Sequence, residues 1–310
     1  MTNIQQTLSL LLAVAAIALF SRPVQAKEGV DWYPYGSETW LAGVMPPPGV
    51  YFVDYAGYYS GNLRDGNGKK APNSVHNWFN AFRIAHITES GILGGTFAWH
   101  LIQPTTHMSF QSPSEKVSGS RLGDLTLGLA NSWRHENSNW VAGLGFNLPT
   151  GYYKAGRPEE SVGTGYWSIE PSLAYTYLSD KGWEFSTKLA YFLNATNHDY
   201  KSAPKTQSVD YHSGDEFHVD YLIGKRFGPM GFGISGYWVK QIKDDEIDGS
   251  SVPATPFTSE GRRGQVFAIG PSATYQTKSG IFVSLQWNHE YNVRNRFGGD
   301  KTLMKFSVPF

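Results

Sequence analysis

The sequence contains no cysteine among its 310 residues, so no disulfide bond stabilises it. Charged residues make up only 17% of the chain, whereas a soluble domain usually has about a quarter. The 26 basic residues balance the 26 acidic ones, which argues against nucleic acid as a partner. Beyond the N-terminus no run approaches the ~20 apolar residues that a transmembrane helix needs. Aromatic residues, at 15%, and 34 glycines are abundant, and this combination favours a membrane β-barrel.

The N-terminus has the pattern of an export signal. Residues 8–20 form an apolar run that is too short to cross a bilayer as a helix. Val24-Gln25-Ala26 follows and resembles the small-x-small site of signal peptidases. We therefore predict a cleaved signal peptide over residues 1–26 and a mature chain from Lys27. The alternative, a buried N-terminal helix, fits these flanking residues less well.

Alternation of apolar and polar residues with a period of two recurs along the mature chain and predicts an all-β fold. Ile281, Val283, Leu285 and Trp287 share one face of a strand, and polar residues occupy the other. The same reading predicts about twelve strands, near 49–59, 75–87, 92–103, 122–134, 139–148, 165–178, 183–194, 215–227, 230–241, 263–277, 281–291 and 301–310.

Connections of two kinds separate the predicted strands. Short turn-forming stretches, such as 179–182 and 228–229, alternate with long polar stretches. We expect long loops at 60–74, 104–121, 149–164, 195–214, 242–262 and 292–300. Strict alternation of short and long connections is typical of an outer-membrane barrel with short periplasmic turns and longer extracellular loops. These patterns predict a transmembrane antiparallel β-barrel over residues 49–310.

Aromatic residues flank the short turns on the face that we interpret as outward. Rings in this position form a girdle at the headgroup level in membrane barrels. Aromatic packing in a soluble sheet is the alternative interpretation. The residues are Trp133, Trp140, Tyr177, Trp183, Phe227, Phe232 and Tyr275.

Residues 27–48, between the predicted cleavage site and the first strand, do not alternate. They include Trp32, Tyr33, Tyr35 and Trp40 and end in three consecutive prolines. We expect this segment to lie across the periplasmic mouth or to enter the lumen as a partial plug; an unstructured tail is an equal alternative.

Polar residues with inward parity are the candidate lumen-lining residues. They carry both signs of charge, so they either form pairs that brace the wall or line a narrow polar path. They are Asp54, Arg83, His100, Glu170, Glu184, Lys188, His218, Asp220, Gln286 and Lys305.

No motif points to a cofactor, a metal ion or a catalytic site. Gly231–Gly236 matches G-x-G-x-x-G, but it runs into a strand rather than a helix, so we reject a dinucleotide site. His212, Asp215, Glu216, His218 and Asp220 lack zinc spacing, and the acidic cluster 244–248 lacks the EF-hand pattern.

Short stretches along the whole mature chain are similar to those of a known family. They are Pro46-Pro47-Pro48-Gly49-Val50-Tyr51, Gly123-Asp124, Leu148-Pro149-Thr150-Gly151-Tyr152-Tyr153, Tyr211-His212-Ser213-Gly214, Asp244-Asp245, Gly270-Pro271 and Asn295-Arg296-Phe297-Gly298. In these the chain resembles the meta-pathway phenol-degradation family, also called SphA-like or transporter-like outer-membrane proteins. The resemblance implies an outer-membrane barrel associated with the catabolism of aromatic compounds, and it brings no catalytic residues.

The hypothesis that follows is a passive channel in the outer membrane of a Gram-negative bacterium, taking up small hydrophobic or aromatic compounds. The expected partners are membrane lipids, a small organic solute, the barrel-assembly machinery through the terminal Phe310, and lipopolysaccharide phosphates. Arg262, Arg263, Arg294 and Arg296 are the candidates for contact with these phosphates, and contact with an anionic solute or ordinary surface charge are the alternatives. Two alternatives remain: an outer-membrane lipid hydrolase, which requires a serine or aspartate beside a histidine at the rim, and a structural surface barrel that does not conduct. His212-Ser213 is a neighbouring pair of this kind, whereas His289 and Glu290 face opposite sides of a strand and cannot act together.

Overall fold

The computed structural model describes residues 34–255 and 258–310, and the predicted signal peptide lies outside these residues. No helix in them is long and apolar enough to cross a membrane. Two 3₁₀ turns, Ile92–Gly94 and Glu260–Arg262, accompany the strands. In chain order the strands are β1 (Gly49–Arg64), β2 (Lys70–Ile87), β3 (Thr96–Gln111), β4 (Lys116–Leu122), β5 (Leu125–His135), β6 (Ser138–Leu148), β7 (Ser168–Leu178), β8 (Trp183–Asn194), β9 (Thr196–Tyr200), β10 (Val209–His212), β11 (Glu216–Phe227), β12 (Met230–Gln241), β13 (Glu246–Ile247), β14 (Ser250–Ser251), β15 (Gln265–Gln276), β16 (Phe282–Arg294) and β17 (Arg296–Pro309).

Twelve of these strands form one closed antiparallel barrel, which confirms the predicted fold. The ring runs β1-β2-β3-β5-β6-β7-β8-β11-β12-β15-β16-β17, and each strand pairs with its neighbour in sequence. The last strand closes the ring on the first, with Tyr51 opposite Pro309 and Arg64 opposite Arg296. Closure leaves no free edge within the twelve-stranded ring, so the backbone groups of its wall are satisfied within the barrel, as a lipid environment requires.

The wall divides at β3. This strand pairs with β5 over Thr96–Ile102 and with β4 over Thr105–Gln111. Between the two partners, the N–H of Gly123 donates to the carbonyl of Pro104 at 3.0 Å. Strand β4 therefore lies in line with β5 along β3, on the side away from the short turns. It lengthens the wall beyond the twelve-stranded ring.

Two of the six expected long loops are wrong. The chain between β1 and β2 has only residues 65–69, and Asn295 alone separates β16 from β17. In both places the strands continue through the polar residues that were predicted to be loop. Ladder hydrogen bonds join backbone groups, so strands pair above the membrane without an apolar face. Much of the predicted loop 104–121 is likewise strand, in β3 and β4.

The longer connections between β8 and β15 form a second sheet of their own. Its order is β14-β13-β10-β9, and it joins the loop 195–215 to the loop 242–264. Tyr211 opposes Ile247 and His212 opposes Glu246 in this sheet. The two loops therefore form one ordered unit at the end of the barrel opposite the short turns.

Large apolar side chains cover the outer face of the barrel. Ile223 and Leu285 are 58% and 53% exposed, which suits a surface that contacts lipid. The predicted aromatic girdle lies at the short turns, where Trp183 and Phe227 are more than half exposed. Trp140 packs on Tyr175 of the neighbouring strand, with ring centroids 4.3 Å apart.

Candidate functional site in the barrel lumen

The residues that precede β1 lie inside the barrel. We call residues 34–45 the lumen segment. Its backbone N–H groups donate to inward side chains of three strands, and the side chains of Tyr35 and Trp40 donate to two further inward residues. The contacts are Gly36 N to Asp220 Oδ1 (2.7 Å), Leu41 N to Glu184 Oε1 (2.6 Å), Gly43 N to Thr176 Oγ1 (2.8 Å), Tyr35 OH to Glu216 Oε2 (3.0 Å) and Trp40 Nε1 to Ser272 Oγ (2.8 Å). The segment is thus held by β7, β8, β11 and β15.

Two glycines allow the lumen segment to approach the wall closely. Gly36 has φ of 81°, and a Cβ there would lie 2.9 Å from the ring of Tyr237. A Cβ at Gly43 would lie 2.5 Å from the backbone nitrogen of Thr176. Any larger residue at Gly43 would collide with backbone, which cannot move aside as a side chain can.

Trp40 explains Gly231, the first glycine of the rejected dinucleotide motif, and also Gly224 on the neighbouring strand. Its indole is 1% exposed and lies against β11 and β12. A Cβ at Gly224 would be 2.3 Å from the Trp40 ring, and one at Gly231 would be 3.0 Å from it. The glycines therefore make room for an aromatic ring inside the lumen, a close contact of the kind for which a strand glycine is used.

Glu38 binds the lumen segment to three strands. Its Oε1 accepts from Arg83 Nη1 of β2 at 2.9 Å and from the hydroxyl of Tyr55 of β1 at 2.7 Å. Its Oε2 accepts from Lys305 Nζ of β17 at 2.6 Å. Bonds of this kind between charged groups are the strong ones, so Glu38 is the main polar attachment of the segment on this side.

Nine of the ten candidate lumen-lining residues face the interior. They form two groups on opposite sides of the lumen segment. Glu184, His218, Asp220 and Gln286 belong to the side on which the segment lies against the wall. Arg83, His100, Glu170, Lys188 and Lys305 line the space that the segment leaves open.

Asp54 does not face the lumen, and its assignment was wrong. Its neighbours Val53 and Tyr55 line the interior space, so Asp54 lies on the outer face of β1. There both carboxylate oxygens accept hydrogen bonds from Asn80 Nδ2, at 3.1 and 2.9 Å. The parity was ambiguous because Phe52 and Val53 put apolar side chains on both faces of this strand.

A cavity of about 220 Å³ remains between the lumen segment and the wall formed by β17, β1–β3 and β5–β8. Most of the wall here carries small or apolar side chains. They include Val53, Ala81, Ala85, Ala98, Ile102, Ala130 and Ala174. The polar exceptions are concentrated: the Lys188–Glu170 ion pair, at 2.7 Å, lies near the group around Glu38. The cavity is therefore apolar over most of its surface, with the charged groups gathered around Glu38.

Sequence reasoning missed Glu38 because it considered only strand residues for the lumen. Glu38 is the one carboxylate among residues 34–45. Because these residues do not alternate, the sequence pattern could not show which way its side chain points. The acidic cluster 244–248 falls in an expected long polar loop, but its Asp245 is buried there and accepts from the Tyr211 hydroxyl at 2.6 Å and from Gly214 N at 2.9 Å. Asp245 thus joins the two loops of the second sheet.

The four candidate rim arginines have different surroundings. Arg263 pairs with the carboxylate of Asp244, and Arg262 is buried. The guanidinium of Arg296 lies over the Tyr35 ring at 5.3 Å, so it contacts the lumen segment. Arg294 is exposed. Among residues 34–255 and 258–310, no cluster of three metal-ligating side chains is present.

Comparisons with known proteins agree with this architecture. A family model described as "Putative MetA-pathway of phenol degradation" matches residues 60–306. An outer membrane channel of Pseudomonas putida F1 superposes with a TM-score of 0.73 at 14% identity, covering 90% of this chain and 100% of that one. The β-domain of the Bordetella autotransporter BrkA superposes with a TM-score of 0.50 at 9% identity, covering 86% and 100%. A comparison with curated protein sequences finds no match.

Proposed function

The chain belongs to the family of the MetA-pathway of phenol degradation, and from this premise we propose that it is an outer-membrane channel for passive uptake of small hydrophobic or aromatic compounds. The observation that carries the proposal is the cavity of about 220 Å³ beside the lumen segment. Its wall of alanine, valine and isoleucine suits an apolar solute, because such side chains neither bind water strongly nor leave polar groups unpaired.

The lumen segment is the plug of this channel. It fills the side of the lumen next to β8, β11 and β15, and it leaves the cavity as the remaining space. Glu38 attaches the plug to the wall on the side of the cavity. A solute therefore passes between the plug and the wall formed by β17, β1–β3 and β5–β8, or passes when the plug moves.

The location and partners follow from the same proposal. The barrel lies in the outer membrane of a Gram-negative bacterium with its exposed apolar belt in contact with lipid. Arg294 contacts lipopolysaccharide phosphates at the outer rim, and the assembly machinery recognises the strand that ends in Phe310. We assign no catalytic step to the protein, since uptake down a gradient needs none.

Uptake by whole cells tests the proposal. Cells that lack related channels would express the chain or carry an empty vector, and the accumulation of radiolabelled toluene and of arabinose would be measured over time. We expect faster accumulation of toluene with the chain and little change for arabinose. Equal toluene uptake in both cell lines would contradict the proposed function, and faster uptake of arabinose alone would indicate a pore for polar solutes instead.

A further inference from the structure

His100 is a lumen-facing histidine on β3 whose tautomer can be read from its neighbour. Its Nδ1 lies 3.0 Å from Nη2 of Arg83. A guanidinium can only donate, so Nδ1 accepts this hydrogen bond and carries no proton. The proton of the neutral ring is therefore on Nε2. Arg83 thereby orients the imidazole and makes Nε2–H a donor.

The Nε2–H group of His100 faces the cavity. The ring lies over Gly128 of β5, where a Cβ would be only 2.1 Å from Nε2. Glycine at this position therefore leaves the space that the ring occupies. No hydrogen bond from Nε2 to another residue exists in the part of the chain that the structure describes, and His100 lines the cavity. The cavity thus contains an oriented donor with an unused hydrogen bond.

The rest of the cavity limits the size of a ligand. Its volume of about 220 Å³ is below the range of roughly 300–1,000 Å³ that holds drug-sized molecules. The side chains near His100 are small: Ala98 precedes it on the same face of β3, and Ala85 lies on the neighbouring strand, directly opposite it. A single aromatic ring suits this space better than a long or polycyclic compound.

The charges that line the cavity around Glu38 favour an oxygen acceptor over a cation. Three cations, Arg83, Lys188 and Lys305, line the cavity with two carboxylates, Glu38 and Glu170. Asp220 does not line it, and its oxygens accept from the backbone N–H groups of the lumen segment and contact His218. With His100 neutral, the lining has one positive charge in excess, which attracts negative or partly negative oxygen.

We propose that the cavity is a binding site for monocyclic aromatic compounds with an oxygen acceptor, a carboxylate or a phenol hydroxyl, and that His100 Nε2–H donates to this oxygen. The inference rests on the proposed function and specifies its solute class. The ring of the ligand lies against the alanines of β2 and β3, and its oxygen points to His100. A hydrocarbon of the same size gains the apolar contacts but not the hydrogen bond.

Equilibrium binding to the full-length mature barrel in lipid nanodiscs tests this site. The probes are radiolabelled benzoate, phenol, toluene and benzylammonium, with empty nanodiscs to subtract partition into lipid. We expect benzoate to bind at least roughly tenfold more tightly than toluene, phenol to fall between them, and benzylammonium to bind most weakly. Toluene binding as tightly as benzoate and phenol, or benzylammonium binding more tightly than either, would overturn the proposal.

Variants locate the preference at His100. The His100→Phe variant should bind toluene as the wild type does and lose the preference for benzoate, whereas His100→Gln, which keeps an N–H donor, should retain part of it. His107→Phe is the matched control, because His107 is exposed on the outer face of the same strand, with Nδ1 2.9 Å from Ser120 Oγ. Heat-modifiable migration in gels verifies that each barrel is folded. An unchanged benzoate preference in folded His100→Phe would refute the role of this residue.

This test is independent of the uptake experiment. Cells that accumulate toluene while the purified barrel shows no preference among the probes would leave the channel in place and reject the His100 site. Selective binding of benzoate without any uptake would support the site and reject the channel.

Discussion

The carboxylate of Glu38 and the ammonium group of Lys305 lie 2.6 Å apart, between Oε2 and Nζ, although 267 positions separate them in the sequence. This contact joins the segment before the first strand to the last strand. Arg83, on the second strand, binds the other oxygen of Glu38 at 2.9 Å. The seam where the barrel closes is therefore also a place where the lumen segment is attached, so with this segment as the proposed plug, loss of Glu38 should affect permeation.

Replacing Glu38 with glutamine should loosen the plug. The change leaves Arg83 and Lys305 without their carboxylate and should weaken attachment by about 2 kcal/mol, which raises the detached fraction about 30-fold. Single-channel recording should show larger or more frequent openings than in the wild type. Glu89→Gln, in an exposed turn, is the control and should leave the recordings unchanged. Identical recordings for Glu38→Gln and the wild type would show that Glu38 does not hold the plug.

The outward pair of Asp54 and Asn80 should respond to mutation as a unit. Asp54 lies opposite Phe82 and Phe306, within the apolar outer face. Asn80→Leu leaves the carboxylate without its donor and should destabilise the barrel by about 1–3 kcal/mol. The double variant Asp54→Leu/Asn80→Leu removes both polar groups and should be at least as stable as the wild type. Denaturant unfolding in lipid bilayers measures these differences. A double variant that is less stable than Asn80→Leu alone would contradict this account.

Asp245 should make the association of the two loops pH-dependent. Burial raises the pKa of this carboxyl from its usual 3.8 to about 7, against the lowering effect of the Tyr211 hydroxyl. Between about pH 4 and pH 7 the Asp245 carboxyl therefore keeps its proton in the folded loops and loses it in the separated loops. The resulting stabilisation is complete below about pH 4 and is lost as the pH rises through 7.

Hydrogen exchange of residues 209–212 between pH 4 and 8, corrected for the intrinsic rate, should show weaker protection at higher pH. Asp245→Asn should remove this dependence, since an amide does not titrate in the range. Asp244→Asn is the control: hydrogen bonds from Ser251 and Arg263 lower the pKa of Asp244, so it affects stability only as the pH falls towards and below its usual 3.8. Protection that is independent of pH in the wild type would contradict the prediction.

Phe310 should matter for assembly more than for stability. Its side chain is 74% exposed, and its backbone N–H donates to the carbonyl of Val50 at 3.0 Å, a bond that any residue other than proline can form. Phe310→Ala should therefore change the stability of the refolded barrel by less than about 0.5 kcal/mol. In cells it should lower the amount of barrel in the outer membrane, measured by fractionation. Phe306→Ala, on the same strand face, is the comparison, and equal losses for both variants would argue against a special role for the terminal residue.

The barrel itself was predictable from the sequence because strand alternation is a local property. Period two identified all twelve ring strands and placed nine of ten polar candidates on the inner face, since each inward residue is set by its immediate neighbours along the strand. At Phe52 and Val53 two successive residues are apolar, so the alternation does not show which face of the strand is inward. Only the pairing with β2 and β17 put Asp54 on the outer face.

The position of the lumen segment was decided by tertiary structure alone. Residues 34–45 have no period, and their bonds reach residues as distant in sequence as Thr176, 133 positions away, and Lys305, 267 positions away. Such contacts exist only after the ring has closed and brought the inward side chains of distant strands together around one space. The sequence by itself therefore determined the wall of this protein, while its tertiary structure decided what occupies the lumen and where a cavity remains.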